Sequence, residues 1–326
     1  MIRLPILVLC AAFGAAILGA RGAPAADDYP QRSVTVVVPF PAGGATDLMA
    51  RVLAEGLREQ LKVPFVVENR PGAGTLIAAA AVAKAAPDGH TLMLATLATL
   101  AIAPHVYKSI PYDPVKDFAP IGLVGEADFV LVSHPSVPAE TLAELIALVR
   151  EKPGELAYAS AGIGTPHHLF MEMFLSMTGL SVRHVPYRGS PAALTDVVAG
   201  AVPLMMCDLT PALQMIREKK VKAFGVASPT RLAFAPEIPT LAEAGLPGYV
   251  ATGWFSVVAR AGTPRPTIDK LNNAIGTHLA RADVQDKLAV LGIRALTGSP
   301  EELARHAAAE LARWGRVAKD AGITPE

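Results

Sequence analysis

The sequence predicts an α/β protein made of two doubly wound domains, and two observations lead to this fold class. Short runs of β-branched residues alternate with helical patterns along most of the chain, as in sheets of parallel strands covered by helices. The alternation occurs in two separate series, and a chain of 326 residues is long enough for two domains of ordinary size.

The first series begins with a buried strand at Val34 to Val38. The helix that follows has Leu53, Leu57 and Leu61 on one face, so this face is expected to cover the sheet. After this helix we expect a strand, a helix and a strand at residues 64–68, 75–84 and 91–95.

The second series begins with the apolar run from Phe129 to Val132. Ser190 is the expected N-cap of one of its helices, because Pro191 suits the first helical position. The other predicted elements are helices at 139–152 and around 166–177, and strands at 156–159, 181–185, 203–207 and 222–227.

The C-terminal part has a different pattern, with a strand at 254–259 followed by helices at 266–280 and 300–318. We expect it to return to the first domain, which gives a two-strand hinge near 122–130 and 248–256. The predicted division is therefore domain I at 26–125 plus 252–326, and domain II at 126–251.

The first 25 residues have the pattern of a secretory signal peptide. Arg3 precedes an apolar run from Leu4 to Ala20, and Ala23-Pro24-Ala25 fits signal peptidase cleavage near Ala25. We favour this interpretation over a membrane anchor, because the run is short and interrupted by proline and glycine. The mature protein is expected in the periplasm, with Cys207 as its only thiol and therefore no internal disulfide.

The charge balance argues against large anionic partners. The chain has 29 basic and 29 acidic residues and no basic run, so it predicts no binding of nucleic acid or of anionic membrane surfaces. A small molecule is the expected partner.

Two glycine-rich loops follow predicted strands, where open α/β sheets bind ligands. Gly43-Gly44 lets the backbone approach a guest, and Thr46 or Asp47 is expected to start a helix whose positive end faces that guest. The loop from Gly162 to Thr165 has the same pattern in the other domain. Two helix N-termini facing one cleft predict an anion site, although a Gly-Gly turn is also a common tight connection.

Other site classes lack their patterns. No GxxxxGK[ST] occurs, and Ile77 fills the third small position after Gly72-Ala73-Gly74, so a nucleotide cofactor is not expected. Ser160 lacks the first glycine of a nucleophile elbow. His168 and Glu172 stand one helical turn apart without a third metal ligand, and the His167-His168 pair is expected to supply cleft polarity or helix surface. We predict no catalysis, no metal and no cofactor.

Several segments resemble, in order, the Bug (TctC-like) family of periplasmic receptors of tripartite tricarboxylate transporters. They are PFPAGGATD at 39–47, VENRPGAG at 67–74, PDG at 87–89, YASAGIGTPHHL at 158–169, VPYRG at 185–189 and GTP at 262–264. The resemblance covers the whole mature chain. It implies a Venus-flytrap receptor of the type II periplasmic binding protein class, in which both glycine-rich loops hold a carboxylate.

Carried onto this chain, with our own candidates added, the expected ligand-binding set combines both loops and the neighbouring strand ends. It comprises Phe40, Ala42, Gly43, Gly44, Thr46, Asp47, Thr96, Ser160, Gly162, Gly164, Thr165, His168, Arg188 and Asp208. The alternatives are that Asp47 caps its helix and that Arg188 is a solvated loop charge.

The ligand is predicted to be a small organic acid with one or two carboxylates and a partly apolar body. The two loops contain no Lys or Arg, while Phe40, Leu100 and Ile163 are expected to add apolar surface. The predicted protein is a monomeric receptor that passes the acid to membrane transporter subunits. A ligand sensor for a membrane signalling partner and a secreted hydrolase remain the alternatives.

Overall fold

The computed structural model describes residues 29–325. The predicted signal peptide at 1–25 lies outside the described residues. Within that described range, every helix is too short or too polar to cross a membrane.

The strands form two separate mixed sheets. The described strands are β1 (Val34–Val38), β2 (Phe65–Asn69), β3 (Thr91–Thr96), β4 (Phe118–Ala127), β5 (Phe129–Ser133), β6 (Ala157–Ser160), β7 (Arg183–Pro186), β8 (Leu204–Asp208), β9 (Lys222–Val226), β10 (Gly253–Arg260) and β11 (Ile293–Ala295). The first sheet has the order β11-β4-β10-β3-β1-β2, and the second has the order β7-β6-β8-β5-β9.

Helices cover these sheets. They are α1 (Ala45–Leu61), α2 (Leu76–Ala83), α3 (Ala103–Val106), α4 (Leu142–Glu151), α5 (Pro166–Thr178), α6 (Ser190–Val198), α7 (Leu209–Arg217), α8 (Arg265–Leu279), α9 (Ala282–Val290) and α10 (Pro300–Asp320). A 3₁₀ turn at Ala73–Thr75 precedes α2, and a π-helical turn at Ala98–Ile102 joins β3 to α3.

The protein is an α/β protein with two doubly wound domains, as predicted. The first domain is built on the six-stranded sheet and the second on the five-stranded sheet. The chain passes from β4 to β5 across Asp128 and returns after β9 to β10, so two segments link the domains. This is the architecture of a Venus-flytrap protein.

Apolar packing joins the domains near these links. Trp314 on α10 stacks against Phe170 on α5 with ring centroids 5.1 Å apart, and both side chains are fully buried. The rings belong to one cluster that also contains Phe129 of β5 and Trp254 of β10. The links therefore lie beside a continuous core that both domains share.

The strand directions differ from the predicted parallel sheets. In the first sheet β1 is parallel to β2 and β3, but β10 is antiparallel to both β3 and β4. In the second sheet β5 is antiparallel to β8 and β9. The antiparallel strands β4, β5 and β10 belong to the two links between the domains. A chain that crosses from one domain to the other and then returns reverses its direction, and this explains the antiparallel pairing.

The starts of two helices beside the cleft differ from the prediction. Ser190 is the first residue of α6 and Gly189 is its N-cap, with φ 120°, which is a backbone conformation that favours glycine. The first helix begins at Ala45 rather than at Thr46 or Asp47, and Gly44 is its N-cap.

Candidate functional site

The first glycine-rich loop is held in shape by Asp47. Its Oδ2 accepts hydrogen bonds from the Gly43 amide at 3.0 Å and from Arg51 Nε at 2.9 Å, and its Oδ1 accepts one from Asn69 at 3.0 Å. Burial alone would raise the pKa of Asp47, but these hydrogen bonds outweigh burial and hold the pKa below its ordinary value. Asp47 is therefore an anion whose hydrogen bonds hold the first glycine-rich loop in shape. Its side chain lines none of the cavities described below.

The second glycine-rich loop is held by Ser160 and His168. Ser160 Oγ lies 2.6 Å from His184 Nε2 and accepts a hydrogen bond from the Gly162 amide at 3.1 Å. The Gly164 amide donates to His168 Nδ1 at 3.3 Å. The side chains of Ser160 and His168 are thus engaged in shaping the loop, and neither lines a cavity of the cleft.

A stack of aromatic rings supports the second loop from below. The rings of His168 and His184 are parallel with centroids 4.2 Å apart, and Tyr158 stacks on the other face of His184 at 4.7 Å. Burial lowers the pKa of His168 to about 3, with a smaller effect from neighbouring His184, and burial lowers the pKa of His184 to about 4. Both rings are therefore neutral at the pH of most cells.

Three helices begin at the cleft with an uncharged N-cap residue and no side-chain cap. They are α1, α5 and α6, with N-caps Gly44, Thr165 and Gly189. A fourth helix, α7, begins there with the acidic Asp208 as its N-cap. The hydroxyl of Thr165 donates to the Gly162 carbonyl at 2.6 Å instead of capping its helix. The first amides of a helix have no acceptor within it, and the helix dipole makes this end attractive to an anion.

Helices elsewhere show that an uncapped start alone does not mark a ligand site. Both α4 and α10 have complete capping boxes, from Thr141 with Glu144 and from Ser299 with Glu302. In contrast, α8 and α9 lack a side-chain cap although they begin outside the cleft. What distinguishes α1, α5 and α6 is that their N-termini, from both domains, line one cavity.

That central cavity measures about 50 Å³ and lies between the two domains. This is room for a carboxylate group or one to two waters, since a water occupies about 30 Å³ in the liquid. Its lining residues are Phe40, Pro41, Gly44, Ala45, Thr46, Thr96, Leu97, Ala127, Phe129, Ala161, Pro166, His167, Ser190, Pro191, Asp208, Gly253, Trp254 and Phe255. Among these described residues there is no Lys or Arg.

Two larger cavities adjoin the central one. The outer cavity, of about 760 Å³, lies between the two glycine-rich loops and shares Phe40, Pro41 and Ala161 with the central cavity. It is lined by Arg188 as well as by Gly162 and Thr165. The inner cavity, of about 460 Å³, lies between α1, α6 and α7 and is lined largely by Leu48, Leu194, Val198, Met215 and Leu291.

Asp208, the single carboxylate among the described lining residues of the central cavity, is paired. Asp208 Oδ2 lies 3.0 Å from Nε2 of His167. Burial would raise the pKa of Asp208, but the charge of His167 and its hydrogen bond hold the pKa below the ordinary value. The charge of Asp208 therefore has a partner within the protein.

The structure brings most of the predicted residues to the cleft. The residues lining one of the three cavities are Phe40, Gly43, Gly44, Thr46, Thr96, Gly162, Thr165, Arg188 and Asp208. The others are Ala42, which is exposed at the rim, and Asp47, Ser160, Gly164 and His168, which support the loops. Leu100 was expected at the cleft, but it lines a separate cavity against Leu303 and Leu311 of α10, because the π-helical turn directs it there.

Sequence reasoning missed several lining residues. Trp254, Phe129 and Ser190 line the central cavity, and Tyr107 lines the outer one. Trp254 and Phe129 lie on the strands that link the domains. Whether such residues line the cavity depends on where the chain crosses from one domain to the other. The sequence did contain a signal for Ser190, because this residue follows Gly189 directly in a loop that comes after a predicted strand.

The described part of the chain does not group metal ligands together. Residues 29–325 contain no cluster of three or more His, Cys, Asp or Glu side chains arranged to hold a metal ion. Cys207 is a free and buried thiol, and burial raises its pKa.

The fold and the cleft between its domains define a solute-binding protein of the Venus-flytrap type. Residues 49–323 match the family model described as the tripartite tricarboxylate transporter family receptor, TctC. The chain belongs to this family of receptors, as its resemblance to the Bug family implied.

Individual relatives agree with this assignment. Protein BugT of Bordetella pertussis is 38% identical over 298 residues, which cover 91% of this chain and 91% of that protein. A structure from R. palustris with adipate is 38% identical, with a TM-score of 0.88, and the match covers 92% of this chain and 100% of that one. MatC from Rhodopseudomonas palustris with bound malate is 36% identical, with a TM-score of 0.84, covering 89% of this chain and 99% of that one.

Proposed function

We propose that this protein is a periplasmic solute receptor that binds a small organic acid with one or two carboxylates between its domains. It then delivers the acid to the membrane subunits of a tripartite tricarboxylate-type transporter. One observation carries the proposal: the uncapped N-termini of α1, α5 and α6, from both domains, line one cavity without a Lys or Arg among its described lining residues. Helix N-termini bind carboxylates without a cationic side chain.

Two family members with known ligands support the ligand class. The similar proteins were solved with adipate and with malate, and both ligands are dicarboxylates. In this chain one carboxylate is proposed to contact the amides at the starts of α1 and α5. The remainder of the acid extends into one of the larger cavities, where Phe40 and Leu48 provide apolar surface.

The proposal includes closure of the two domains around the acid. The moving units are proposed to be residues 26–125 with 252–326, and residues 126–251. The receptor is proposed to act as a monomer, to reach the periplasm through the signal peptide at 1–25, and to use no metal or cofactor.

A thermal-shift panel of mono-, di- and tricarboxylates tests the ligand class. A ligand that binds only the folded protein stabilises it by RT ln(1 + [L]/Kd). We expect mono- or dicarboxylic acids with a partly apolar body to raise the melting temperature more than citrate does. Stabilisation by citrate alone would contradict the proposed ligand class.

Small-angle scattering tests closure with the same acids. A ligand that contacts both domains favours the closed state by the difference in its affinity for the two states. The radius of gyration is therefore expected to decrease at saturation. An unchanged radius with a bound acid would contradict closure while leaving binding intact.

Uptake experiments distinguish a transport receptor from a sensor. Cells that lack this protein should fail to take up the radiolabelled acid, and adding the protein back should restore uptake. A sensor would leave uptake unchanged and alter gene expression in response to the acid.

The hydrolase alternative gains one specific observation, the 2.6 Å contact between Ser160 Oγ and His184 Nε2. A serine next to a histidine is half of a hydrolytic triad. However, Ser160 is 0% exposed, and the lowered pKa of His184 makes it a poor base at neutral pH. We therefore propose that the pair is a loop support. Incubation with nitrophenyl esters tests this, and activity that is lost in Ser160→Ala would establish the hydrolase instead.

A further inference from the structure

The inner cavity, of about 460 Å³, is walled mainly by helices. Apolar side chains line it from α1, α6, α7 and the turn before β11, and these are Leu48, Leu194, Val198, Met215 and Leu291. Beyond its first turn a helix pairs its backbone groups internally, so side chains form most of this wall. All five residues except Leu194 are only half-buried. An apolar group bound here would remove their surface from water, which is favourable.

The outer cavity has a more polar surface. It is lined by turns at 71–74 and 161–163, which carry backbone N–H and C=O groups, and by the charged side chain of Arg188. Among the described lining residues of the inner cavity there is no Lys, Arg or His, and the only charged one is Asp208, which is paired with His167. The inner cavity therefore favours the apolar body of an acid over a second charged group.

The inner cavity adjoins the central cavity at the starts of α1 and α6. The two cavities share Gly44, Ala45, Ser190, Pro191 and Asp208. The central cavity, at about 50 Å³, has room for the carboxylate and little more, so the body of the acid must extend beyond it. Because the shared Gly44 and Ala45 are small, a carboxylate at the start of α1 leaves that body at the entrance of the inner cavity.

The size and surface of the inner cavity fit an aromatic ring. An apolar cavity of about 150 Å³ binds benzene, and the inner cavity, at about 460 Å³, is about three times as large. Two polar side chains at its wall are engaged elsewhere. Thr195 donates to the Pro191 carbonyl at 2.9 Å, and Gln214 donates to Glu218 at 2.8 Å. Neither requires a polar partner from the ligand.

The apolar wall comes from both domains. Leu48 and Leu291 belong to the first domain, whereas the other three side chains belong to the second. The hydroxyl of Thr210 on α7 donates to the Leu291 carbonyl, so the domains touch at the edge of this cavity. Gly292 makes this approach possible, since an added Cβ would collide with the Thr210 hydroxyl. An apolar body in the cavity therefore contacts both domains and favours the closed state.

We propose that the inner cavity binds the apolar body of the ligand, and that the protein selects monocarboxylic acids with a bulky apolar body, such as arylalkanoic acids. Leu48, Leu194 and Met215 are the specificity-determining residues of this subsite. The inference rests on the proposed function, because the carboxylate is assigned to the helix N-termini. It goes further by assigning the body of the acid to one of the two larger cavities and by naming the class of acid.

Calorimetry with 3-phenylpropanoate and propanoate tests the inference, since the two acids differ by one phenyl ring. Wild-type protein is expected to bind 3-phenylpropanoate about 10- to 100-fold more tightly, as for the burial of a phenylalanine side chain. It should also bind this acid more tightly than adipate, because a second carboxylate would meet no cationic side chain among the described residues of the inner cavity.

Met215→Trp fills the inner cavity. It should reduce 3-phenylpropanoate affinity by more than about 30-fold and change propanoate affinity by less than about threefold, because propanoate has no ring to place there. Met177→Trp is the matched control, since Met177 lies on α5, is 43% exposed and lines none of the three cavities. This control should bind both acids as wild type does.

Leu48→Asn is a second variant, which keeps the size of the side chain and makes the wall polar. It should lower only the affinity for 3-phenylpropanoate, by about five- to tenfold. This variant gives the answer even if Met215→Trp fails to fold, which circular dichroism detects.

NMR of protein with labelled methionine methyl groups locates the ring directly. NOEs are expected between the phenyl protons of 3-phenylpropanoate and the methyl group of Met215, and none are expected to Met177. NOEs from the phenyl protons to the ring of Tyr107 would instead place the body of the acid in the outer cavity and overturn the proposal.

The failures are distinguishable. Equal affinities for 3-phenylpropanoate and propanoate, tighter binding of adipate, or unchanged affinities in Met215→Trp would overturn the role of the inner cavity and leave the proposed receptor function intact. If wild-type protein binds no acid of a wider mono-, di- and tricarboxylate panel, the proposed function itself fails.

Discussion

The phenol of Tyr107 in the first domain donates a hydrogen bond to the carbonyl of Ile163 in the second domain, at 3.0 Å. Ile163 lies within the second glycine-rich loop, so the contact crosses the mouth of the outer cavity. Gly74 and Gly164 pack against the same ring, where an added Cβ would approach Tyr107 to 2.2 Å and 3.0 Å. The contact thus joins the domains directly at the ligand loops.

Tyr107→Phe is expected to weaken the closed state without disturbing either domain. A single hydrogen bond contributes about 0.5–1.5 kcal/mol, so ligand affinity should fall by about two- to tenfold. The loss should appear mainly in a faster dissociation rate, because the bond forms only when the domains are together. Stopped-flow displacement of a bound acid measures this rate.

Tyr112→Phe is the control for that variant. Tyr112 also donates to a backbone carbonyl, that of Thr99 at 2.7 Å, but both residues lie in the first domain. It should reduce stability and leave the dissociation rate unchanged. Equal dissociation rates for wild type and Tyr107→Phe would show that the contact does not hold the closed state.

Gly44→Val is expected to abolish acid binding while the fold survives. Gly44 has φ −82° and ψ 168°, an extended conformation that any residue adopts, and an added Cβ would meet only the Pro41 carbonyl at 4.0 Å. The valine side chain would instead project where Gly44 lines the central cavity, which measures about 50 Å³. We expect affinity to fall by more than about 100-fold, because a filled cavity excludes the carboxylate.

Circular dichroism and calorimetry measure these two effects separately. Gly276→Val on α8 is the matched control, since its added Cβ would meet no atom within 4 Å and it lies outside the cleft. This control should bind as wild type. If Gly44→Val binds the acid normally, the first glycine-rich loop is only a turn.

Asp47→Ala is expected to act on stability more than on affinity. The side chain accepts three hydrogen bonds, and it lines none of the cleft cavities. Removing a buried acceptor of this kind costs about 2–3 kcal/mol in the free energy of unfolding. Affinity measured on the folded protein should change by less than about tenfold, through loosening of the loop.

Chemical denaturation with matched ligand titrations gives both quantities. Asp283→Ala is the control, because Asp283 forms an exposed ion pair with Arg281, and exposed ion pairs contribute little to stability. A loss of binding in Asp47→Ala as large as in Gly44→Val would instead assign Asp47 to the ligand.

The repeated strand and helix patterns made much of this fold predictable. The run from Val34 to Val38 and the helix with Leu53 and Leu57 appear where their periodicity places them. The strand β4 was missed, because Pro120 and the glycines at 122 and 125 interrupt its pattern. Its pairing with β10 on one side and β11 on the other compensates for those breaks.

The site was predictable in its backbone and less so in its side chains. The turns at Gly43-Gly44 and Gly162-Gly164 are visible in the sequence, because glycine is needed where the backbone has positive φ, as at Gly43 and Gly162. The pairing of His167 with Asp208 spans 41 positions, and no local pattern predicts it. The same holds for Tyr107 and Ile163, which meet only when the two domains approach.

The ring stack of His168 and His184 is expected to make the protein sensitive to mild acid. Their folded pKa values, about 3 and about 4, lie below the unfolded value of about 6.5. The unfolded chain therefore binds more protons, so the stability contribution is present above pH 6.5 and is lost as pH falls toward 4. At pH 5 the loss is about 2 kcal/mol for each ring.

Melting curves at pH 7.5 and pH 5 measure this loss, which should lower the melting temperature by about 5 °C. Asp128 acts in the opposite direction, since burial raises its pKa to about 6, and it is present in every variant compared. His184→Phe keeps a ring between Tyr158 and His168 but does not titrate, so it should melt lower at pH 7.5 and show less than half the wild-type decrease on acidification. His134→Gln, which changes an exposed histidine, should show the full decrease. If His184→Phe shows the full decrease as well, the acid sensitivity arises elsewhere in the protein. The neutral stack of His168 and His184 would then not be what holds the second glycine-rich loop.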